Sequence, residues 1–474
     1  MQQDYVRPHS IFLRSTLFGL FTVTLLSGSS CIQRPTTIDP TPDQPFRGVK
    51  LTLAASHPAD NDLLYQLTRG WASRTGAEIR ISPTPWDGSA DIGLISPAEL
   101  PRWAESNQLA EVPPDLKRPT NPYRWGDLNP IFTVRLTTWG KGTYALPVLG
   151  EGMVLVYRKD AFEGKPVPAS WDEMLEAARR LGPKSLPPLS SDPERLSAEF
   201  FTAAACYDRL AVGRIGNSIS EDFFAFQFDP ATGLPRLDKA AFQHVAELFR
   251  KMQPFRGSSP DMATAFRSGE AKLGILSLRE FGQLGPEVTD RLGVAPLPGS
   301  KVIYEANDRP QLTEQGSVNR VPYLGWGGRV GVVSATSSSA EAAWDLLAEL
   351  GLPERTALDL IASPLVGAGP YRTSHLDHRA RPRWFAYGLS ASETERLTAA
   401  LRDNLSQTVQ NYRVRLRTPN QHELSDALDA ELRSILMSDQ PANTSKLNER
   451  WKTLIEKLPP EEWKRVARKS IGLS

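Results

Sequence analysis

The segment YALPVLGEGMVLVYRKDAFEGKPVPASWDEMLEAARRLG, residues 144–182, contains a strand pattern followed directly by a helix pattern. Residues 152–157 are almost wholly apolar, which is typical of a buried strand. Ser170 is a favourable N-cap residue, Glu173 stands at capping-box spacing from it, and Gly182 followed by Pro183 ends the helix. The segment therefore predicts a strand, a turn and a helix in succession, as in an α/β protein.

The same alternation extends in both directions along the chain. Apolar or alternating runs predict strands at 49–55, 77–81, 91–95, 273–276, 294–299 and 329–333. Helical spacing covers 60–75, 97–108, 195–212, 237–252, 340–350 and, with breaks near 418–420 and Pro441, 391–460. Strands that alternate with helices predict mostly parallel sheets flanked by helices.

Composition excludes several classes of protein. The 474 residues suffice for about two or three domains. Hydrophobic residues are 40% and charged residues 23%, which argues against a disordered chain or a multi-span membrane protein. A net charge of +1 argues against a dedicated nucleic-acid binder. Two cysteines, Cys31 and Cys206, exclude a disulfide scaffold, and the apolar run before Cys206 predicts a buried thiol.

The N-terminus has the pattern of an export signal. Arg7 and Arg14 precede an uncharged apolar run at 16–26, and small residues then lead to Cys31. The run is shorter than the roughly 20 residues that a membrane-spanning helix needs. Cys31 in this position resembles the lipid-modified cysteine of bacterial lipoproteins, although ordinary cleavage after a small residue would leave it unmodified. We predict a lipoprotein-type signal peptide at 1–30, a flexible Pro- and Thr-rich tether at 31–47, and an exported protein, periplasmic or at the cell surface.

Several short blocks along the chain match a known family in order and spacing. They are SADI at 89–92, YALP at 144–147, YRKD at 157–160, PASWDEM at 168–174, FRSGEAKL at 266–273, LPG at 297–299 and EAAW at 341–344. Together they resemble the extracellular solute-binding proteins of bacterial ABC importers, in the sugar-binding, maltose-binding-like family. The resemblance covers most of residues 48–460.

This resemblance implies a two-lobe periplasmic-binding-protein fold of type II, hinged around a ligand cleft. Lobe 1 would comprise 48–150 and about 328–375, and lobe 2 about 151–327 and about 376–474. The implied partners are a small solute of the sugar class, the subunits of an ABC permease, and a membrane through a lipid anchor. No cofactor, metal or nucleic acid is implied. The alternatives are a binding protein that feeds a membrane sensor and an exported hydrolase.

A carbohydrate cleft needs aromatic faces and fixed polar groups. Glu151 lies between two glycines, and the matching position in the maltose-binding branch supplies a sugar-binding carboxylate; a solvated loop acid is the alternative. Trp326 lies among glycines before a strand, where it would stack on a ligand or pack in a core. Arg279 stands where the family often has an aromatic residue, which suggests a more polar or anionic ligand. The remaining ligand-binding candidates are Ser96, Glu99, Phe200, Trp86, Asp87 and Trp139, with Trp86, Asp87 and Trp139 expected to be exposed.

Other patterns predict less. The alternating Arg413, Arg415 and Arg417 predict a solvated strand edge, and residues 421–423 could line the cleft. His375 and His378 have no third ligand at regular spacing, so a solvated loop is preferred to a metal site. No hydrolase elbow, zinc-protease motif or phosphate loop occurs, so we predict no enzyme. The polar sequence of residues 300–322 predicts an irregular segment, which would form a surface insertion or cap the cleft.

Overall fold

The computed structural model describes residues 44–56, 58–208, 225–353, 356–405 and 413–473. The predicted signal peptide, Cys31 and most of the tether lie outside the described residues, as do the last four positions of the helix predicted at 195–212. Within the described ranges, no helix has the length and apolar character needed to span a bilayer.

The described strands follow the predicted order, with additional short ones. They are β1 (Lys50–Ala55), β2 (Glu78–Ser82), β3 (Ile92–Ile95), β4 (Thr138–Trp139), β5 (Gly142–Thr143), β6 (Ala145–Leu149), β7 (Met153–Arg158), β8 (Leu273–Ser277), β9 (Leu292–Ala295), β10 (Val302–Tyr304), β11 (Pro310–Leu312), β12 (Tyr323–Leu324), β13 (Arg329–Val333) and β14 (Arg413–Val414).

The α-helices account for most of the remaining chain. They are α1 (Pro58–Thr75), α2 (Leu100–Glu105), α3 (Trp171–Leu181), α4 (Pro193–Tyr207), α5 (Ala240–Met252), α6 (Met262–Arg267), α7 (Leu278–Gly282), α8 (Pro286–Thr289), α9 (Ala340–Leu350), α10 (Thr356–Ile361), α11 (Arg381–Trp384), α12 (Ala391–Leu405), α13 (Gln421–Leu436), α14 (Ser445–Ile455) and α15 (Pro460–Ser470). The predicted helix boundaries at 171–181 and 340–350 are confirmed.

The first sheet has the strand order β2-β1-β3-β13-β6. Strands β2, β1 and β3 are parallel, whereas β13 runs antiparallel to both β3 and β6. Helices α1 and α9 pack on this sheet, so apolar side chains such as Leu53, Ile92 and Leu346 form a first core.

The second sheet has the order β8-β7-β9, and both of its pairings are antiparallel. The prediction of mostly parallel sheets is therefore wrong for this sheet. The reason is the chain path: β7 follows β6 through a short link, whereas β8 and β9 each follow a helix and run in the direction opposite to β7. On β7, Val154 and Val156 face the first core, and Met153 and Leu155 face a second core.

Helices α3, α4, α5 and α13 enclose the second core. The hydroxyl of Ser170 accepts the N–H of Glu173 as predicted, while the Glu173 carboxylate accepts the N–H of Ala169. Cys206 is buried in this core, which confirms the predicted setting of the thiol, and burial raises the pKa of Cys206 to about 11.

The segment at 300–322 is not irregular, because β10 and β11 form a hairpin within it. This hairpin packs against α4 and α5, where the hydroxyl of Tyr304 lies 3.1 Å from Nδ1 of His244.

The prediction of a solvated edge at 413–417 is wrong. Arg413, Arg415 and Arg417 are only 4%, 4% and 1% exposed. Strand β14 pairs with β12 between the two cores, so each guanidinium group must find partners inside the protein. Arg417, for example, donates to the main-chain oxygens of Arg135 and Thr138 at 2.6 and 3.0 Å.

Candidate functional site

Two adjoining cavities lie where β3, β6 and β8 end. Cavity A, of about 380 Å³, is bordered by residues from 149–152, 277–283 and 326–329. Cavity B, of about 460 Å³, lies between residues from 94–102 and from 415–422. Four side chains border both cavities, so the two form one cleft: Asp192, Glu194, Trp326 and Arg329.

Trp326 is the aromatic residue shared by the two cavities, and it is half-buried. It lies on the four-residue connection between β12 and β13, whose glycines adopt conformations that other residues rarely adopt. Gly325 and Gly328 have φ of +87° and +70°, and a Cβ on Gly328 would lie 2.6 Å from the main-chain oxygen of Leu149. The glycines thus let this connection pass close to the end of β6 while the indole faces the cleft.

Glu151 lies beneath this connection, on the short link between β6 and β7, and is 7% exposed. One carboxylate oxygen accepts the N–H of Gly325 and the other accepts the N–H of Gly327. Burial raises the pKa of Glu151 to about 7, although these two N–H groups and the charge of Arg415 act in the opposite direction. Both oxygens of the predicted ligand-binding carboxylate are thus already hydrogen-bonded to main-chain donors.

One wall of cavity A is a buried ionic array centred on Arg195. This guanidinium group, 5% exposed, donates to Glu280 at 3.2 Å, to Glu199 at 3.1 Å and to the main-chain oxygen of Ile275 at 2.9 Å. Glu280 also forms a capping box with Ser277 at the start of α7. The predicted residue Arg279 borders the cavity beside this array.

Glu194 connects the cleft to the strand that carries the buried arginines. Its Oε1 accepts a hydrogen bond from Nη2 of Arg415 and lies 3.6 Å from Nδ1 of His422. Gln421 and His422 border cavity B as predicted, whereas Glu423 pairs with Lys457 at 2.6 Å.

Glu194, Arg195, Arg329 and Arg415 were missed as site residues. The start of α4 carried a usable signal, since Asp192 and Pro193 form a strong helix N-terminus after a loop. Arg415 was visible only as part of a pattern whose burial depends on pairing with a distant strand.

Three other predicted residues border cavity B. Ser96 and Glu99 follow β3, and the Glu99 carboxylate accepts the Ser96 N–H at 2.9 Å. Trp86 also borders the cavity, but it is only 4% exposed and packs edge-on against Trp103 at 4.8 Å. The expectation that Trp86 is exposed is wrong, because its ring fills the space above Gly93.

The remaining three candidates lie away from the cleft. Phe200 is fully buried in the second core, where it packs against Phe201. The expectation that Trp139 is exposed is wrong, because its ring is buried and its Nε1 donates to Glu105 at 2.8 Å. Asp87 is exposed as expected, but its carboxylate accepts from Ser89 and it borders neither cavity; these hydrogen bonds lower its pKa. Apolar packing explains the positions of the two aromatic residues, which spacing alone could not separate from cleft positions.

The cleft therefore offers one aromatic face and a set of fixed acids and guanidinium groups. Among the described residues, no group of three or more His, Cys, Asp or Glu side chains is arranged to hold a metal ion. The arrangement is suited to hydrogen-bond a polar solute against a ring.

A sequence model of the family described as "Bacterial extracellular solute-binding protein" matches residues 81–379. The chain belongs to the bacterial extracellular solute-binding protein family. Membership implies an exported protein, and it agrees with a cleft that binds a solute. Comparison with curated protein sequences finds no match.

Solved structures share the fold of this solute-binding protein. It is similar to the sugar-binding protein MalE from Xanthomonas citri, with a TM-score of 0.61, 14% identity, and coverage of 89% of this chain and 98% of that one. It is also similar to a solute-binding protein from Agrobacterium radiobacter K84 in complex with ribitol, with a TM-score of 0.60, 16% identity, and coverage of 90% of this chain and 99% of that one. A third similar structure is UgpB from Mycobacterium tuberculosis in complex with glycerophosphocholine, with a TM-score of 0.59, 15% identity, and coverage of 86% of this chain and 98% of that one. The fold is accordingly the two-lobe α/β fold of periplasmic binding proteins.

Proposed function

We propose that this solute-binding protein captures a small polyhydroxylated solute, most simply a carbohydrate, in the cleft and delivers it to an ABC permease. The observation that carries the proposal is the position of Trp326, a half-buried indole that borders both cavities. The C–H face of a sugar ring packs on such an indole, and covering the exposed part of the indole contributes roughly 25 cal/mol per Å² of apolar surface buried.

The polar groups around Trp326 fit the hydroxyls of the same ligand. Asp192 and Glu194 accept hydrogen bonds and Arg329 donates them, and all three border both cavities. Arg415 fixes Glu194 from behind, which lowers the entropy cost of ordering that carboxylate on binding. Ser96, Glu99 and Arg279 complete the proposed set at the periphery.

The ligands bound in the similar structures support this class without selecting one member. They include a polyol and a glycerophosphodiester as well as sugars. The guanidinium groups of Arg279 and Arg329 would also suit a solute with an anionic group.

The proposal includes the organisation of the chain. Lobe 1 would comprise 48–150 and about 328–375, and lobe 2 about 151–327 and about 376–474, joined by the connections at 150–152 and 325–328. Cys31 would carry the lipid anchor, with the tether at 31–47 between membrane and protein. No catalytic activity is proposed.

A thermal-shift screen of the purified protein tests the function. The panel contains mono- and oligosaccharides, polyols, amino acids, polyamines and anions. A true ligand at a hundredfold excess over its Kd should stabilise the folded state by about 2.7 kcal/mol. Trp326→Ala should weaken affinity for the ligand roughly 10- to 100-fold, whereas Trp125→Ala, a half-buried tryptophan outside both cavities, should not.

Hits restricted to amino acids or polyamines would contradict the proposed ligand class. A hit whose affinity is unchanged in Trp326→Ala would contradict the proposed site.

A further inference from the structure

We propose that Glu151 is a positioning residue, whose ionised carboxylate holds Trp326 in its orientation for solute, so that protonation of Glu151 loosens Trp326 and weakens capture. The inference about capture rests on the proposed function, whereas the effect on Trp326 itself does not.

The Glu151 carboxylate binds the main chain on both sides of Trp326. Its two oxygens accept the N–H groups of Gly325 and Gly327, the residues immediately before and after Trp326. Glycine-rich backbone has wide conformational freedom, so these two hydrogen bonds select one path of the connection among many. The direction of the indole depends on that path, because Trp326 is the single side chain carried between the two bonded positions.

The main chain at Glu151 is held in place by close backbone packing. Gly150 donates to the main-chain oxygen of Gly369 at 3.0 Å, and a Cβ on Gly369 would lie 2.0 Å from the main-chain oxygen of Glu151. This close backbone packing fixes Glu151 while the glycines of the connection rely on its side chain. The backbone packing therefore sets the position of Glu151, and the Glu151 carboxylate in turn sets the path of the connection.

The charge on Glu151 matters because a carboxylate accepts at both oxygens, whereas a carboxylic acid turns one of them into a donor. A protonated Glu151 therefore keeps one strong acceptor for two N–H groups. Since burial raises the pKa of Glu151 to about 7, the change falls near neutrality.

The groups that face Glu151 do not remove this titration. Arg415 on β14 lowers the pKa of Glu151, and burial raises the pKa of Tyr323 on β12, so that phenol stays neutral. Across cavity A the charged groups are Asp192 at the N-cap of α4, Glu194 and Arg195 on α4, Arg279 and Glu280 on α7, and Arg329 on β13. His422 lies next to Glu194 in cavity B, so a variant at this side chain serves as a separate control.

Fluorine NMR of protein labelled with fluorotryptophan tests the inference without any solute. Trp326→Phe identifies the resonance of Trp326, which is then followed from about pH 5.5 to about pH 8.5. We expect it to titrate with a midpoint near 7, the pKa of Glu151. In Glu151→Gln the resonance should stay near its low-pH position throughout, while His422→Gln, a change at an exposed side chain, should leave the midpoint in place.

A wild-type resonance that does not move between about pH 6 and about pH 8 would overturn the inference, whatever the variants do. So would a titration that persists in Glu151→Gln or disappears in His422→Gln. If Glu151 contacts solute directly instead, Glu151→Gln leaves the solute-free resonance of Trp326 as in the wild type. A titrating Trp326 in a protein with no hit in the solute panel would support the positioning role and count against the proposed function.

Discussion

Glu151 and Glu105 each connect segments that are distant in the sequence, and their surroundings have opposite effects on their pKa values. Glu151 is buried against neutral main-chain donors, and its pKa is raised to about 7. Glu105 is partly exposed on α2, where burial acts to raise its pKa, but hydrogen bonds from Arg465, Trp139 and Lys469 lower it to about 2. Desolvation dominates where the donors are uncharged amides, and ion pairing dominates where they are cations.

The difference gives the two contacts different roles. Arg465 and Lys469 lie on α15, which also buries Trp463 in the second core and Val466 beside Trp139 in a third cluster. The pKa of Glu105 is lowered to about 2, so its carboxylate stays ionised at neutral and mildly acidic pH and its ion pairs do not change there. The Glu151 carboxylate changes its charge near neutrality, so its hydrogen bonds to Gly325 and Gly327 depend on pH.

The largest expected effect comes from deleting each carboxylate. Glu151→Ala leaves the N–H groups of Gly325 and Gly327 without their acceptor, which should cost about 2–5 kcal/mol of the free energy of unfolding at pH 7. Glu105→Ala removes a partly exposed, salt-screened contact and should cost about 1 kcal/mol. Urea denaturation followed by circular dichroism measures both, and a greater loss for Glu105→Ala would reverse the comparison.

A second effect concerns the pH dependence of stability. The pKa of Glu151 is higher in the folded protein than its usual value of 4.5, so the folded state binds the extra proton. The stabilising contribution of this proton is present below about pH 4.5 and is lost as pH rises through about 7, by about 3 kcal/mol in all. Relative to wild type, Glu151→Gln should therefore become more stable as pH rises from about 5 to about 8.

The same urea denaturation, repeated across this pH range, measures the difference between the two proteins. Other titrating groups cancel in that difference, and Glu105→Gln serves as the matched control. Because the pKa of Glu105 is lowered to about 2, its contribution is lost only as pH falls below about 4.5, so its difference from wild type should be flat above pH 5. A flat difference for Glu151→Gln would contradict the raised pKa.

The sequence predicted local structure better than it predicted pairing and burial. The strand at 152–157 and the helix at 171–181 were predictable because apolar spacing and capping residues act locally. The antiparallel pairing of β7 was not, since strand direction depends on where the chain crosses between sheets. The alternation of Arg413, Arg415 and Arg417 was visible, but their burial follows from pairing with β12.

The candidate site shows the same division. Trp326 and Glu151 stood out because glycines surround them, and the structure brings them together through the main chain of Gly325 and Gly327. Glu194 and Arg415 did not stand out, because a carboxylate and a guanidinium 221 positions apart become a cleft pair only in three dimensions. Phe200 was predicted in the cleft but is buried in the second core, since helical spacing does not identify which neighbours cover a ring.

Carbon NMR of protein labelled at the side-chain carboxyl carbon of glutamate measures both titrations directly, with Glu151→Gln and Glu105→Gln to assign the two resonances. We expect the Glu151 carboxyl to titrate near pH 7 and the Glu105 carboxyl near pH 2, or not before acid unfolding. A Glu151 carboxyl that titrates near 4.5, its ordinary value, would contradict the claim that this buried carboxylate holds the main chain on both sides of Trp326 and changes charge near neutrality.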